Sequence, residues 1–111
     1  MTDIERLQQR LQEFADQRDW NQFHSPKNLA MALVVEAAEL AEHFQWLTQQ
    51  ESYELEAGKL EKVGEELADI FVYLVRLADR LGVDLPAAVD RRGRSWRWAS
   101  GAPGQGGARA R

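Results

Sequence analysis

Two carboxylates interrupt the most apolar stretch of this chain and limit how that stretch can fold. Between Leu29 and Ala41, the only polar residues are Glu36 and Glu39. On a helix, side chains three residues apart project from nearly the same strip, one turn from each other. A stretch of this composition should be mostly buried, and buried charges need compensation. We therefore expect the fold to bring a compensating group to this helix.

A second acidic pair has the same form. Glu66 and Asp69 are again three residues apart, and the apolar run 70–75 follows them, with Tyr73 as its one polar member. The 26 residues between Glu39 and Glu66 are enough for a turn and an antiparallel return. The sequence therefore predicts two long antiparallel helices whose acidic pairs face each other.

Helical periodicity extends through the body of the chain, and no strand-like alternation interrupts it. Ser25 and Pro26 have the form of a helix N-cap followed by proline at the first helical position, and Gly82 has the form of a C-terminal cap. The sequence predicts an all-α fold with four helices. Their expected bounds are 3–18, 26 to about 47, a start between 52 and 59 with an end at 81, and a short helix from about 86.

Length and composition set further expectations. A chain of 111 residues fits one domain, which we expect to span residues 1–99 and to bury surface against a second chain. Residues 100–111 are mostly Gly, Ala and Arg, so we expect a disordered basic tail. The chain has no cysteine, no long apolar run and no signal-peptide pattern, and these features favour a cytoplasmic protein without a membrane span.

Charge is distributed unevenly along the chain. Asp90 is the last acidic residue; the chain up to it carries a net charge of −10, whereas residues 91–111 carry +6. A basic tail can indicate nucleic-acid binding. Because the acidic body would repel a phosphate backbone, nucleic acid is not the partner that we expect.

Four carboxylates brought together repel one another unless a cation is present. All-oxygen ligands select hard cations, so the two acidic pairs predict a Mg²⁺ site, with Mn²⁺ as a substitute and open positions for phosphates. A solvated helix face is the alternative for any helical acid, and we assign it to the acids outside the two pairs. A di-iron bundle site would require Glu-x-x-His, but the residues three before His43 and His24 are Leu40 and Asn21.

Aromatic residues cluster near the two ends of the second helix, and flat rings there suit stacking on a base. They are Trp20, Phe23, His24 and Trp46. Core packing is the alternative for Trp46, and a local role at the helix start is the alternative for His24. Tyr73 lies one turn beyond Asp69, where its hydroxyl reaches either a ligand or solvent. Without a glycine-rich phosphate loop, phosphate binding would rely on the metal and on basic side chains such as Lys27, Lys59, Lys62 and Arg76.

The complete pattern resembles the MazG-like all-α nucleoside triphosphate pyrophosphohydrolases. Their signature is E-x-x-E, a spacer and E-x-x-D, which 36–39 and 66–69 match. The segments 18–29, 36–46, 66–74 and 83–86 are similar to the dCTP pyrophosphatase branch, and the resemblance covers residues 4–89.

The resemblance implies a four-helix protomer that forms a dimer or a dimer of dimers, with active sites built against neighbouring chains. It implies hydrolysis of a nucleoside triphosphate to monophosphate and pyrophosphate, in house-cleaning or pool control. The matching Mg²⁺-binding and catalytic positions are Glu36, Glu39, Glu66 and Asp69. Those matching nucleotide contacts are Trp20, Asn21, Phe23, His24, Trp46 and Tyr73. Leu11 stands where related enzymes can carry a substrate-contacting His.

Beyond Val89 the chain departs from the family pattern. Relatives continue with Lys, Asn and a Tyr-Pro group that helps to hold the phosphates, whereas this chain is rich in Arg and Gly. The change resembles a shifted reading frame, a hypothesis that the other frames of the encoding DNA would test. It also leaves open an alternative function, a helical oligomer that binds nucleotide or metal without turnover.

Overall fold

The structure, a computed structural model, describes residues 1–95. The chain divides into two compact units, one spanning Met1–Leu81 and one beginning at Gly82. The helices are α1 Asp3–Gln17, α2 Pro26–Glu42, α3 Ala57–Leu81 and α4 Leu85–Ser95, with short 3₁₀ helices at Asn21–Phe23 and Glu51–Tyr53. Residues 1–95 contain no strand, so the predicted all-α fold with four helices is confirmed. The predicted tail at residues 100–111 and the domain boundary at residue 99 lie outside the described residues and stay predictions.

Side-chain caps set the starts of the first two helices. The Thr2 hydroxyl accepts a hydrogen bond from the Glu5 backbone N–H at 3.1 Å, and the Glu5 carboxylate accepts one from the Thr2 N–H at 2.7 Å. At the start of α2, the Ser25 hydroxyl accepts from the Asn28 N–H at 3.1 Å, with Pro26 at the first helical position. These bonds satisfy backbone N–H groups that have no partner inside the helix.

The second helix ends five residues earlier than the sequence predicts, at Glu42 instead of about Leu47. After it, the backbone tightens: the His43 N–H bonds to the Leu40 carbonyl at 3.1 Å, and the Phe44 N–H bonds to the Ala41 carbonyl at 3.0 Å. The Gln45 N–H also bonds to the Ala41 carbonyl over four residues, at 3.0 Å, so helix-like turns follow the end of α2. The sequence pattern therefore continues although the α-helix has ended, and no glycine or proline marks the change.

Helices α2 and α3 are antiparallel, as the sequence predicts. The Glu36 carboxylate lies beside that of Asp69, and the His43 ring lies beside Glu66, so residue numbers rise along α2 as they fall along α3. Helix α1 also packs against α3. Few apolar side chains are buried in this unit: Ala15, Leu29, Val63, Val75 and Ala78. The interior of residues 1–81 is therefore small.

Large apolar side chains instead line the outside of the two long helices. On α2, Met31, Val34 and Val35 are 54–64% exposed, and on α3, Leu60 and Leu67 are more than half exposed. The spacing of three, four or seven residues places each set in one stripe along its helix. None of the helices within residues 1–95 combines the length and hydropathy that a membrane span requires.

The glycine that follows α3 has a conformation that other residues adopt at a penalty. Gly82 has φ +70°, whereas Gly64 lies inside α3, and a Cβ at either position meets no atom within 4 Å. We expect Gly82→Ala to lower the free energy of unfolding by about 1 kcal/mol through backbone strain alone. Gly64→Ala should instead raise it by about 0.5–1 kcal/mol, because alanine favours the helix. Urea unfolding of both variants tests this, and a gain in stability for Gly82→Ala would contradict the strained cap.

Candidate functional site

Three carboxylates from the two long helices converge in the groove between them. One oxygen each from Glu36, Glu39 and Glu66 lies within 4.8 Å of the others. The first two residues are one turn apart on α2, and the third comes from α3, which runs antiparallel beside it. Spacing within one helix and pairing between two helices together produce this acidic cluster.

Within the cluster, Glu36 is the acid whose surroundings most disfavour a negative charge. Its Oε1 atom is buried and has no hydrogen-bond partner within the described residues. Burial raises the pKa of the Glu36 carboxyl, and the nearby charges of Glu39, Asp69 and Glu66 raise it further. The Asp69 carboxylate is also close enough to share a proton with Glu36. Asp69 therefore joins the cluster through Glu36, although it is not one of the three converging oxygens.

The donor set fits a divalent cation. All of the converging atoms are carboxylate oxygens, which hard cations prefer. The unpartnered Glu36 oxygen and the mutual repulsion of the acids are both relieved when a positive ion binds among them.

His43 lies directly behind the cluster. Its Nε2 atom is 3.4 Å from Oε2 of Glu66, and its Nδ1 atom is 3.5 Å from Nζ of Lys59. The sequence indicates a structural role for this ring. Its position next to one carboxylate suits orienting that group, as a second layer of residues does around many metal sites.

A cavity of about 270 Å³ opens beside the acids. Glu36 and Asp69 form part of its wall, and aromatic and apolar side chains form the rest. Its lining consists of Leu11, Phe14, Ala15, Trp20, His24, Glu36, Asp69, Val72, Tyr73 and Arg76. One cavity thus combines negative charge with flat rings.

The aromatic wall is built around Trp20. The Trp20 ring meets Phe14 edge-on, with 5.3 Å between centroids, and lies 5.9 Å from the His24 ring. The guanidinium carbon of Arg18 lies 3.4 Å from the centre of the Phe14 ring. Just before Trp20 the chain turns at Asp19, which has φ +55°. Asp tolerates this left-handed conformation better than most residues, and the turn leads from α1 into residues 20–24, the aromatic segment.

Not every predicted nucleotide contact lies in this cavity. Trp20, His24 and Tyr73 line it, but Asn21, Phe23 and Trp46 do not. Asn21 is half-buried beside the cavity and bonds to other polar side chains. Phe23 is 59% exposed and Trp46 is 86% exposed, so neither packs into the core. Core packing of Trp46, the alternative that the sequence allows, is wrong.

Arg76 is placed differently from the phosphate-binding role that the sequence allows for it. It lines the cavity, but only 3% of it is exposed, and Gln12, Asn21 and His24 accept its hydrogen bonds. The sequence places Arg76 on a polar stripe of α3 but does not indicate these partners. They lie 52 to 64 residues earlier in the chain, so helical spacing could not reveal them.

Comparison with known proteins agrees with this fold. The sequence profile of the MazG-like family matches residues 31–95. Two relatives carry the name dCTP pyrophosphatase 1: those from Bos taurus and Homo sapiens are each 50% identical to this chain over 91 residues. That match covers 80% of this chain and 52% of each relative, so the chain spans about half the length of these relatives.

A solved structure, a pyrophosphatase from Archaeoglobus fulgidus, has the same fold. Its TM-score is 0.80 at 38% sequence identity, over 86% of this chain and 89% of that one. Its four helices, with an acidic cluster between two of them, place this chain in the all-α class of proteins. Within that class, the chain belongs to the MazG-like family. The profile match extends to residue 95, beyond Val89, where the resemblance read from the sequence ends.

The raised pKa of Glu36 predicts how metal-free protein responds to pH. A carboxyl whose pKa is raised by folding stabilises the fold fully below its unfolded pKa and loses this contribution as the pH rises through the folded pKa. In chelator at pH 7.5, we therefore expect Glu36→Gln to be more stable than the original chain, with the difference shrinking as the pH falls towards 4. Mg²⁺ should stabilise the original chain and not the variant.

Thermal unfolding with and without Mg²⁺ measures both effects. Glu61→Gln removes an exposed acid of α3 outside the cluster and is the matched control. If Glu36→Gln and Glu61→Gln have the same thermal stability in chelator, burial and the neighbouring carboxylates do not destabilise the charged form of Glu36.

Proposed function

We propose that this protein is a Mg²⁺-dependent nucleoside triphosphate pyrophosphohydrolase. It converts a triphosphate, of the dCTP-like or modified pyrimidine class, to the monophosphate and pyrophosphate, in house-cleaning or pool control. The observation that carries the proposal is one cavity lined both by Glu36 and Asp69 and by aromatic side chains. The relatives and the solved structure, all named as pyrophosphatases, support it.

Mg²⁺ is the cofactor that the donor set favours, with Mn²⁺ as a substitute, since all the donors are carboxylate oxygens. The residues that would hold it are Glu36, Glu39, Glu66 and Asp69. When bound, the ion would neutralise the charge of the triphosphate and of the departing pyrophosphate.

The side chains of the cavity divide the remaining work. Trp20 and Tyr73 offer aromatic rings on which a base could stack, and His24 offers a polar ring in the same cavity. Water attacks the α-phosphorus in line, the bond from that phosphorus to the bridging oxygen breaks, and pyrophosphate leaves with the bonding electrons. A carboxylate of the cluster orients the water and takes its proton. Exclusion of bulk water by the apolar part of the wall strengthens these electrostatic contacts.

Replacing one carboxylate tests the catalytic assignment. We expect Glu39→Gln to lower the rate of pyrophosphate release at least about a hundredfold, because it removes a charge from the cation site. The assay is a panel of nucleoside triphosphates with Mg²⁺, analysed for monophosphate and pyrophosphate. Glu61→Gln, on an exposed part of α3, should keep full activity. Equal activity of the two variants would contradict the metal assignment.

We further propose that the active form is a dimer or a dimer of dimers. The apolar stripes on α2 and α3 support this, because exposed apolar patches of this kind mark contact surfaces. The exposed rings of Phe23 and Trp46 would then meet nucleotide bound by a neighbouring chain.

A charge introduced on the apolar stripe of α2 tests the assembly. Met31→Glu should lower the molar mass in solution to that of a single chain, because the carboxylate would have to be buried at the contact. Light scattering coupled to size exclusion measures this mass. Lys27→Glu, one turn earlier on an exposed position of the same helix, should leave the mass unchanged. A single-chain mass for the original protein would contradict the proposed assembly.

A second candidate is a helical oligomer that binds nucleotide or metal without turnover. It is favoured by the sequence after Val89, which departs from the family pattern that the chain resembles and which gives α4 three arginines, Arg91, Arg92 and Arg94. Thermal stabilisation by dCTP plus Mg²⁺ without release of pyrophosphate would support this candidate over the enzyme. Product formation would eliminate it.

A further inference from the structure

A nearly buried cation lines the cavity without a direct acidic partner among residues 1–95. Arg76 of α3 is 3% exposed, and no carboxylate of residues 1–95 lies within ion-pair distance of its guanidinium group. Nη1 donates to Oε1 of Gln12 at 2.5 Å, Nη2 donates to Oδ1 of Asn21 at 2.6 Å, and Nε donates to Nδ1 of His24 at 3.2 Å. The guanidinium thereby connects α3 to α1 and to the aromatic segment.

The carboxylate that balances the charge of Arg76 is connected to it through two side-chain amides. The side-chain amides of Gln12 and Asn21 both donate to Oδ1 of Asp16, at 2.7 and 2.6 Å. These two hydrogen bonds lower the pKa of the Asp16 carboxyl. Each amide therefore accepts from the cation and donates to the anion, which orients both amides and compensates the buried charge.

The bond to His24 determines where that ring carries its proton. Nδ1 accepts from Arg76, so the neutral ring must carry its hydrogen on Nε2. Burial lowers the pKa of His24, and the charges of Arg76 and Arg80 lower it further, which favours the neutral form. His24 also lines the cavity, together with the acids Glu36 and Asp69.

We propose that Arg76 is a positioning residue that holds His24 as the neutral Nε2–H tautomer and so gives the aromatic wall one fixed hydrogen-bond donor for an acceptor on the bound base. This inference rests on the proposed function for its ligand. The tautomer itself follows from the Arg76 contact and is measurable without substrate.

Long-range ¹H–¹⁵N NMR of the imidazole nitrogens measures the tautomer. The chain has two histidines, so a His43→Gln background leaves His24 as the only signal. At pH 7.5 we expect a protonated Nε2 and an unprotonated Nδ1. A predominantly Nδ1–H ring or a cationic ring in this sample would overturn the proposal without any change at Arg76.

Variants at Arg76 separate the hydrogen bond from the charge. Arg76→Met should produce a mixture of tautomers and let His24 titrate at higher pH, whereas Arg76→Lys keeps the charge but loses the three-way geometry. Arg80→Met is the matched control, since Arg80 contacts His24 only through the backbone carbonyl, at 3.1 Å. It should preserve the tautomer. Unchanged tautomer and titration in both Arg76→Met and Arg76→Lys would overturn the proposal, and Arg76→Lys remains informative if Arg76→Met does not fold.

Kinetics then link the tautomer to nucleotide binding. We expect Arg76→Lys to raise KM at least about tenfold, with a smaller change in kcat, because the lost bond orients the base and not the reacting phosphate. Arg80→Met should change KM less than about twofold. A fall in kcat alone would contradict the positioning role. If the original protein hydrolyses no triphosphate, the proposed function fails, while the NMR result still decides whether Arg76 sets the state of His24.

Discussion

Repulsion between carboxylates across the groove of α2 and α3 is the constraint on which the rest of this structure depends. The apolar residues around Glu36 favour burial of its helix, yet this packing places the carboxyl beside three other acids. Packing thus imposes an electrostatic penalty that a cation bound at the cluster would remove. A cation that binds only where the acids converge would add its binding free energy to the stability of the fold.

The hydrogen bonds of Arg76 keep its positive charge away from the acidic cluster, so that the cluster stays open to a cation. Arg76 and Asp69 are both on α3 and line the same cavity, so a direct ion pair between them would have been a simple way to balance both charges. Instead, the guanidinium donates to neutral groups. Two of these, the amides of Gln12 and Asn21, donate in turn to the Asp16 carboxylate. Positive charge is therefore compensated on the α1 side of the cavity, and negative charge is left uncompensated where a cation can bind.

Local features of the fold could be predicted from sequence, and contacts between distant segments could not. Helix starts depend on caps such as Ser25, and the two acidic pairs depend on spacing within one helix, so both are visible in short stretches. The early end of α2 is hidden because helix-like turns follow Glu42 and no glycine or proline marks the change. The partners of Arg76 are hidden because they come from α1 and the aromatic segment, more than 50 residues away.

The small interior connects the site to assembly. Few side chains of residues 1–81 are fully buried, while Met31, Val34 and Leu60 are exposed on the outside of the helices that carry the acids. The burial that holds α2 and α3 together must also offset the repulsion between their carboxylates, and the interior alone offers little apolar area for this. A second chain covering the apolar stripes would fix the spacing of the two helices. The geometry of the cation site would then depend on the contact between chains as well as on the fold of one chain.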